Sequence, residues 1–168
     1  DNQIDSIEAL MKEFIKQGKI KAKDARILAV DFGAKRTGLA VTDPLQIIPG
    51  GLTTVATKDV LQYIKQYVAK EDVERIIVGL PMQTNGEDSD NLPRVKAFVN
   101  QLSTQLPDMA VEMYDERYTS VMAHRTMLEA GLKKKARQNK ALVDEISATI
   151  ILQSWMESRN NPLSNMNL

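Results

Sequence analysis

The chain has no cysteine and a single histidine. The first absence excludes a disulfide framework, a thiolate zinc site and a cysteine nucleophile. The second excludes metal centres built from several histidines. Net charge is missing too: 22 Lys and Arg balance 22 Asp and Glu. Affinity for a polyanion therefore has to come from local patches rather than from the overall field. No apolar run approaches the roughly 18 residues of a membrane-spanning helix. The N-terminal stretch is charged where a secretory signal would carry its apolar segment. The expected setting is soluble, reducing and cytoplasmic, without a membrane partner. The 168 residues are enough for one domain whose core folds without covalent or metal staples.

Residues 1–24 stand apart. Ile4, Ile7, Leu10, Met11, Phe14 and Ile15 recur at helical spacing among charges, Gly18 closes the pattern, and KIKAKD follows as a polar linker. This reads as an appended amphipathic helix on a tether, free to pack on the main domain, to meet a partner, or to be extraneous to both.

The main domain is expected over residues 25–158. RILAVDFG, TGLAVTDP and IIPGGLTTV read as three strands close in sequence, whose simplest pairing is an antiparallel meander. The period then changes, with Val60, Leu61, Ile64, Tyr67 and Val68 on a helical face. ERIIVGLP is a strand, NLPRVKAFVNQLSTQL a helix and MAVEMYDE a strand. TSVMAHRTMLEAG is a helix, capped by Thr119 or Ser120 and stopped by Gly131. A basic connector, KKKARQNK, leads to a nearly all-apolar final helix, ALVDEISATIILQSWMES, which should be buried. Trp155 and the methionines are expected in the core, and residues 159–168 as a disordered tail. Strands that alternate with helices run parallel through crossovers. The fold class is therefore α/β, a mixed sheet flanked by helices.

Three acids stand out. Asp31 ends an apolar strand, where a carboxylate is costly unless something compensates it; a cation ligand would do so, and so would a turn cap near Gly33. Asp115 and Glu116 end the last strand on opposite faces, and alternation alone does not choose between them. Asp144 opens the final helix and shares a face with Ser147, Ala148, Ile151 and Trp155; complementing the helix dipole is its alternative role. Oxygen ligands from two strand ends and one helix suit Mg²⁺ or Mn²⁺. Such ions support phosphodiester hydrolysis without a side-chain nucleophile. Basic residues lie beside each acid: Lys35 and Arg36 after Asp31, Arg117 after Glu116, and Lys133, Lys134, Lys135, Arg137 and Lys140 before Asp144. Acids flanked by cations fit a site that holds metal and binds a polyanion. His124 reads as a surface or packing residue, and Tyr118 as packing, with base stacking its alternative.

ILAVDFGAKRTGLAVTD, IIVGLPMQTNGEDS, YDERYTS and VDEISATIILQSWM together resemble the YqgF family of RNase H-like nucleases, which is associated with Holliday junction resolution and with pre-16S rRNA processing. The resemblance runs from Arg26 to Glu157 with the motifs in order. It implies an RNase H-like five-stranded sheet of order 3-2-1-4-5. It also implies Asp31, Glu116 and Asp144 as the acidic metal-binding set, which selects Glu116 over Asp115. Gly79 to Pro81 and the following TNGE resemble the family's loop beside the site. Tyr118 departs from a commonly aliphatic position, and residues 1–24 lie outside the pattern.

The expected function is that of a metal-dependent endonuclease acting on structured nucleic acid. Asp31 and Asp144 would hold Mg²⁺ or Mn²⁺, with Glu116 as a further ligand or water-orienting group. Lys35, Arg36 and Arg117 would contact phosphates. The 5′ end of precursor 16S rRNA is the first substrate. Branched DNA at a Holliday junction, in recombination and repair, is the alternative and calls for a homodimer. A catalytically silent ribosome-assembly factor is a third reading. An actin-like phosphotransferase, suggested by Asp31-Phe-Gly, would need a second lobe that this length does not accommodate.

Overall fold

The structure is a computed structural model describing residues 2–20, 24–81, 90–119, 125 and 139–160. Strands β1 (Arg26–Phe32), β2 (Arg36–Thr42) and β3 (Pro49–Ala56) form the antiparallel meander. β4 (Val73–Leu80) and β5 (Ala110–Asp115) continue in parallel from the other edge of β1. The order is β3-β2-β1-β4-β5, the mixed sheet implied by the sequence.

Alternation along the strands divides the core into two layers. Leu28 and Val30 of β1, Leu39 of β2, and Ile76 and Val78 of β4 point to one face. Helices α2 (Val60–Lys70) and α3 (Leu92–Gln105) cover it with Val60, Ile64, Val95, Phe98 and Leu102. Ile27, Ala29, Ala40 and Ile77 point to the other face. The last described helix, α4 (Lys140–Asn160), covers that face with Ala148, Ile151, Leu152 and Trp155. The residues facing α4 on β1 and β2 include two alanines, so the helix lies close to the sheet. Each fully buried Leu or Ile in these layers contributes on the order of 1.5–3 kcal/mol.

Several expectations need correction. Helix α4 begins at Lys140, where Asn139 caps it by accepting from the backbone N–H of Leu142 at 3.2 Å. Asp144 is thus in the second turn, beyond the strongest influence of the helix dipole. The helix also runs through Asn160, past the point at which a tail was expected. Trp155 is core, but Met11 and Met113 are exposed, as is Tyr118. The helix expected over TSVMAHRTMLEAG lies outside the described residues, apart from Thr119 and Arg125.

The N-terminal segment forms helix α1 (Asn2–Lys16). Gly18, at a φ of 74°, ends it in a Schellman turn: the N–H of Gly18 donates to Ile15 and that of Lys19 to Phe14. Arg75 of β4 reaches the end carbonyls of Ile15 and Lys16 at 3.5 and 3.4 Å, a favourable place for a cation. The polar side of α1, with Glu8 and Lys12, faces Pro107 and Asp108 across a cavity of about 320 Å³. Ile7, Leu10 and Met11 remain exposed.

Candidate active site

Asp31 continues the series Ile27, Ala29 on β1, so its carboxylate points to the face that α4 covers. Gly38 of β2 is its register partner. Gly79 of β4 follows Val78, the partner of Val30, so it flanks Asp31 from the other side. The acid therefore stands between two positions without side chains.

Each of those glycines admits another acidic residue. A Cβ at Gly38 would collide with the backbone carbonyl of Asp144. Only a glycine there lets α4 descend far enough to bring Asp144 over the sheet. A Cβ at Gly79 would sit 2.6 Å from Ile151 Cδ1 and 3.3 Å from the carboxyl carbon of Glu116. The niche beside Asp31 is occupied on one side by the α4 backbone and on the other by the Glu116 side chain.

The turn between β1 and β2 is pinned by residues that sequence reading passed over. The Thr57 hydroxyl donates to the Gly33 carbonyl at 2.8 Å, and its N–H donates to the Lys35 carbonyl at 2.9 Å. The Thr37 hydroxyl lies 2.8 Å from that of Thr57 and, since the latter's proton is committed, it is the donor. The Asn91 amide donates to the Phe32 carbonyl at 2.7 Å. Thr37 is fully buried in β2, but nothing in the sequence marked it, and Thr57 and Asn91 come from distant segments.

Asp115 and Glu116 part company because β5 ends between them. The Asp115 carboxylate accepts from the backbone N–H of Arg117 at 2.9 Å and from its guanidinium at 2.6 and 3.0 Å. It thereby caps the tight turn Glu116–Tyr118, and Arg117 holds its pKa below the usual carboxylate range. Glu116 turns toward Gly79 and Asp31 instead.

Burial first, and the Asp144 charge second, push the Asp31 pKa up to about 6. Burial, then Asp31, then Asp115 push that of Glu116 up to about 7. Among the described residues, neither carboxyl is hydrogen-bonded or paired with a cation. Two half-buried acids that repel each other and lack counter-charges are destabilising unless protonated or bridged by a cation. Asp144 differs, because Arg36 Nε lies 2.8 Å from its Oδ2, with side chains 43% and 21% exposed. Among the described residues, accordingly, no three acidic or histidine side chains surround a common point.

The structure thus sets Asp31 beside both Glu116 and Asp144, and Arg36 against Asp144, without gathering the three acids around one point. Lys35 lies exposed in the same turn, and Lys140 lies exposed one helical turn before Asp144. Arg117 adjoins Glu116 but is engaged by Asp115. Lys133, Lys134, Lys135, Arg137 and His124 lie outside the described residues.

A mixed five-stranded sheet whose acids come from the end of β1, the turn after β5 and a helix crossing the sheet has the RNase H-like architecture. Residues 25–158 match the family described as "RuvX: Holliday junction resolvase", and the chain belongs to that family. Its relatives are close. A Bacteroides fragilis protein named "Putative pre-16S rRNA nuclease" is 64% identical over 135 residues, covering 80% of this chain and 98% of that protein. A Bacteroides thetaiotaomicron protein of the same name is 63% identical with the same coverage. One from Flavobacterium psychrophilum, also so named, is 53% identical over 131 residues, covering 78% of this chain and 96% of that one. No described helix is long and apolar enough to cross a membrane.

Proposed function

We propose that this chain is a divalent-metal-dependent endonuclease that hydrolyses phosphodiester bonds at the 5′ end of precursor 16S rRNA. The observation that carries the reading is the pair of largely desolvated carboxyls of Asp31 and Glu116, without a cation partner among the described residues, with Asp144 acting on Asp31 from α4. Their donor chemistry fits Mg²⁺ or Mn²⁺: hard oxygens, excess negative charge and no softer ligand. Asp31 and Asp144 would hold the ion, and Glu116 would be a further ligand or orient the attacking water. When bound, the ion would supply Lewis acidity and an activated water.

The remaining work falls to the protein. The Thr57 and Asn91 hydrogen bonds fix the turn that carries Lys35 and Arg36. Those cations, with Arg117 and Lys140, would line the approach of a phosphate backbone. Lys133, Lys134, Lys135 and Arg137 would extend that basic rim. Gly38 lets α4 carry Asp144 over the sheet, and Gly79 leaves room for the Glu116 side chain.

The relatives' names favour precursor rRNA. The family description favours a second reading, resolution of a Holliday junction, which would require a homodimer to cut two strands symmetrically. The test is cleavage of a synthetic precursor 5′ end and of a four-way DNA junction, side by side, with Mg²⁺, Mn²⁺ or chelator. Faster metal-dependent cutting of the rRNA supports the first reading, and symmetric cutting of the junction alone replaces it with the second. Tight binding of either without cutting would leave a silent assembly factor.

A further inference from the structure

Arg36 is placed where two different partners compete for it. It lies in the basic turn after Asp31, yet its Nε donates to Asp144 at 2.8 Å. We propose that Arg36 is a gate on the metal site: in the nucleic-acid-free protein it holds the Asp144 carboxylate away from the cation, and an incoming phosphate draws it off. This inference rests on the proposed reading of Asp144 as a metal ligand.

Three observations support it. First, the two ends of the ion pair are on rigid elements. Asp144 is fixed by the close approach of α4 at Gly38 and by the Thr54 hydroxyl donating to the Ala141 carbonyl at 2.6 Å. The turn holding Arg36 is fixed by Thr57. Breaking the pair therefore requires only side-chain rotation. Second, Arg36 is 43% exposed, so a phosphate can reach it, and an arginine fork suits phosphate as well as carboxylate. Third, the other two acids carry no cation among the described residues, whereas Asp144 does. The pair thus divides the acids into two that are free and one that is occupied.

The consequence is thermodynamic coupling. A cation that recruits Asp144 has to break the pair, which weakens its binding. A phosphate that takes Arg36 removes that penalty. By linkage, substrate and metal then strengthen each other's binding. Metal-site completion then accompanies substrate arrival.

Mn²⁺ alone is a sufficient probe, with affinity measured by electron paramagnetic resonance on the full chain. Arg36→Gln should tighten Mn²⁺ binding about threefold, the scale of an exposed ion pair. Removing any nearby positive charge also raises cation affinity, so two controls are needed. Lys35→Gln, which removes a neighbouring charge not paired with Asp144, should tighten binding less. In an Asp144→Asn background, Arg36→Gln should do no more than Lys35→Gln. An equal effect of Arg36→Gln in both backgrounds, or none in the wild type, overturns the gate while leaving the metal site standing, provided that Asp144→Asn by itself weakens Mn²⁺. If Asp144→Asn leaves Mn²⁺ affinity unchanged, the ligand assignment falls and the gate with it. Arg36 is exposed, so these variants should fold, and unchanged melting profiles check that.

Discussion

Replacing Asp31 by Asn should stabilise the metal-free protein, and only at neutral or alkaline pH. The Asp31 pKa rises from its ordinary 3.8 to about 6 in the folded chain. The folded state therefore keeps the proton through a range in which the unfolded chain has released it. Ionising Asp31 costs the folded state nothing well below pH 3.8, and the full amount above about pH 6. A rise of that size corresponds to about 3 kcal/mol, and residual solvent screening at a partly accessible site reduces it to about 1.5 kcal/mol. Asparagine keeps the shape and never ionises. In chelator, urea unfolding of Asp31→Asn and wild type should differ little at pH 4 and by about 1.5 kcal/mol in favour of the variant at pH 8. Asp43 and Asp115, whose pKa values lie below the ordinary range, titrate in both proteins and largely cancel in the difference. A variant no more stable than wild type at pH 8 would show that Asp31 is not electrostatically frustrated, and would remove the main physical reason to place a cation there.

Other perturbations test other parts of the site. Mg²⁺ should raise the melting temperature of wild type more at pH 8 than at pH 5, where Glu116 and Asp31 hold protons, and should do little to Asp31→Asn; thermal scans check this. Glu116→Gln should reduce cleavage by at least about a hundredfold, whereas Asp115→Asn, which keeps an oxygen for the turn cap but loses the ion pair to Arg117, should retain most activity in the same assay. Gly38→Ala forces α4 off β2 and should cost about 3 kcal/mol in denaturant unfolding. Thr57→Val loses its side-chain hydrogen bonds beneath the β1–β2 turn and should cost about 1–2 kcal/mol; it should also slow cleavage by loosening Lys35 and Arg36.

The sheet was legible because its signals are local. The apolar run ending at Asp31, the short spacing of the first three strands and the later helix-strand alternation led to a mixed sheet with an antiparallel meander, while its order followed from the family resemblance. The choice between Asp115 and Glu116 was not legible from one strand, since alternation assigns faces without saying which face α4 covers. The information was distributed: Val111 packs with the α2–α3 layer and Tyr114 with the α4 layer. Only the packed sheet relates that division to Asp31. The start of α4 was read within one residue, but Asp144 was taken as opening the helix, whereas the Asn139 side-chain cap puts it in the second turn. Methionine was assigned to the core on hydrophobicity alone, yet Met113 lies on the edge strand β5 and Met11 on the outward side of α1. The Arg36–Asp144 pair spans 108 positions, and no short-range pattern could anticipate it.

The central claim is that the acids at Asp31, Glu116 and Asp144 make this chain a metal-dependent nuclease. The most direct measurement is cleavage of precursor 16S rRNA by wild type and Asp31→Asn purified side by side, with Mn²⁺ and with chelator. The account predicts cutting by wild type with metal, none with chelator, and a loss of at least about a hundredfold in the variant. Equal cutting by both proteins, or cutting that persists in chelator, would contradict it.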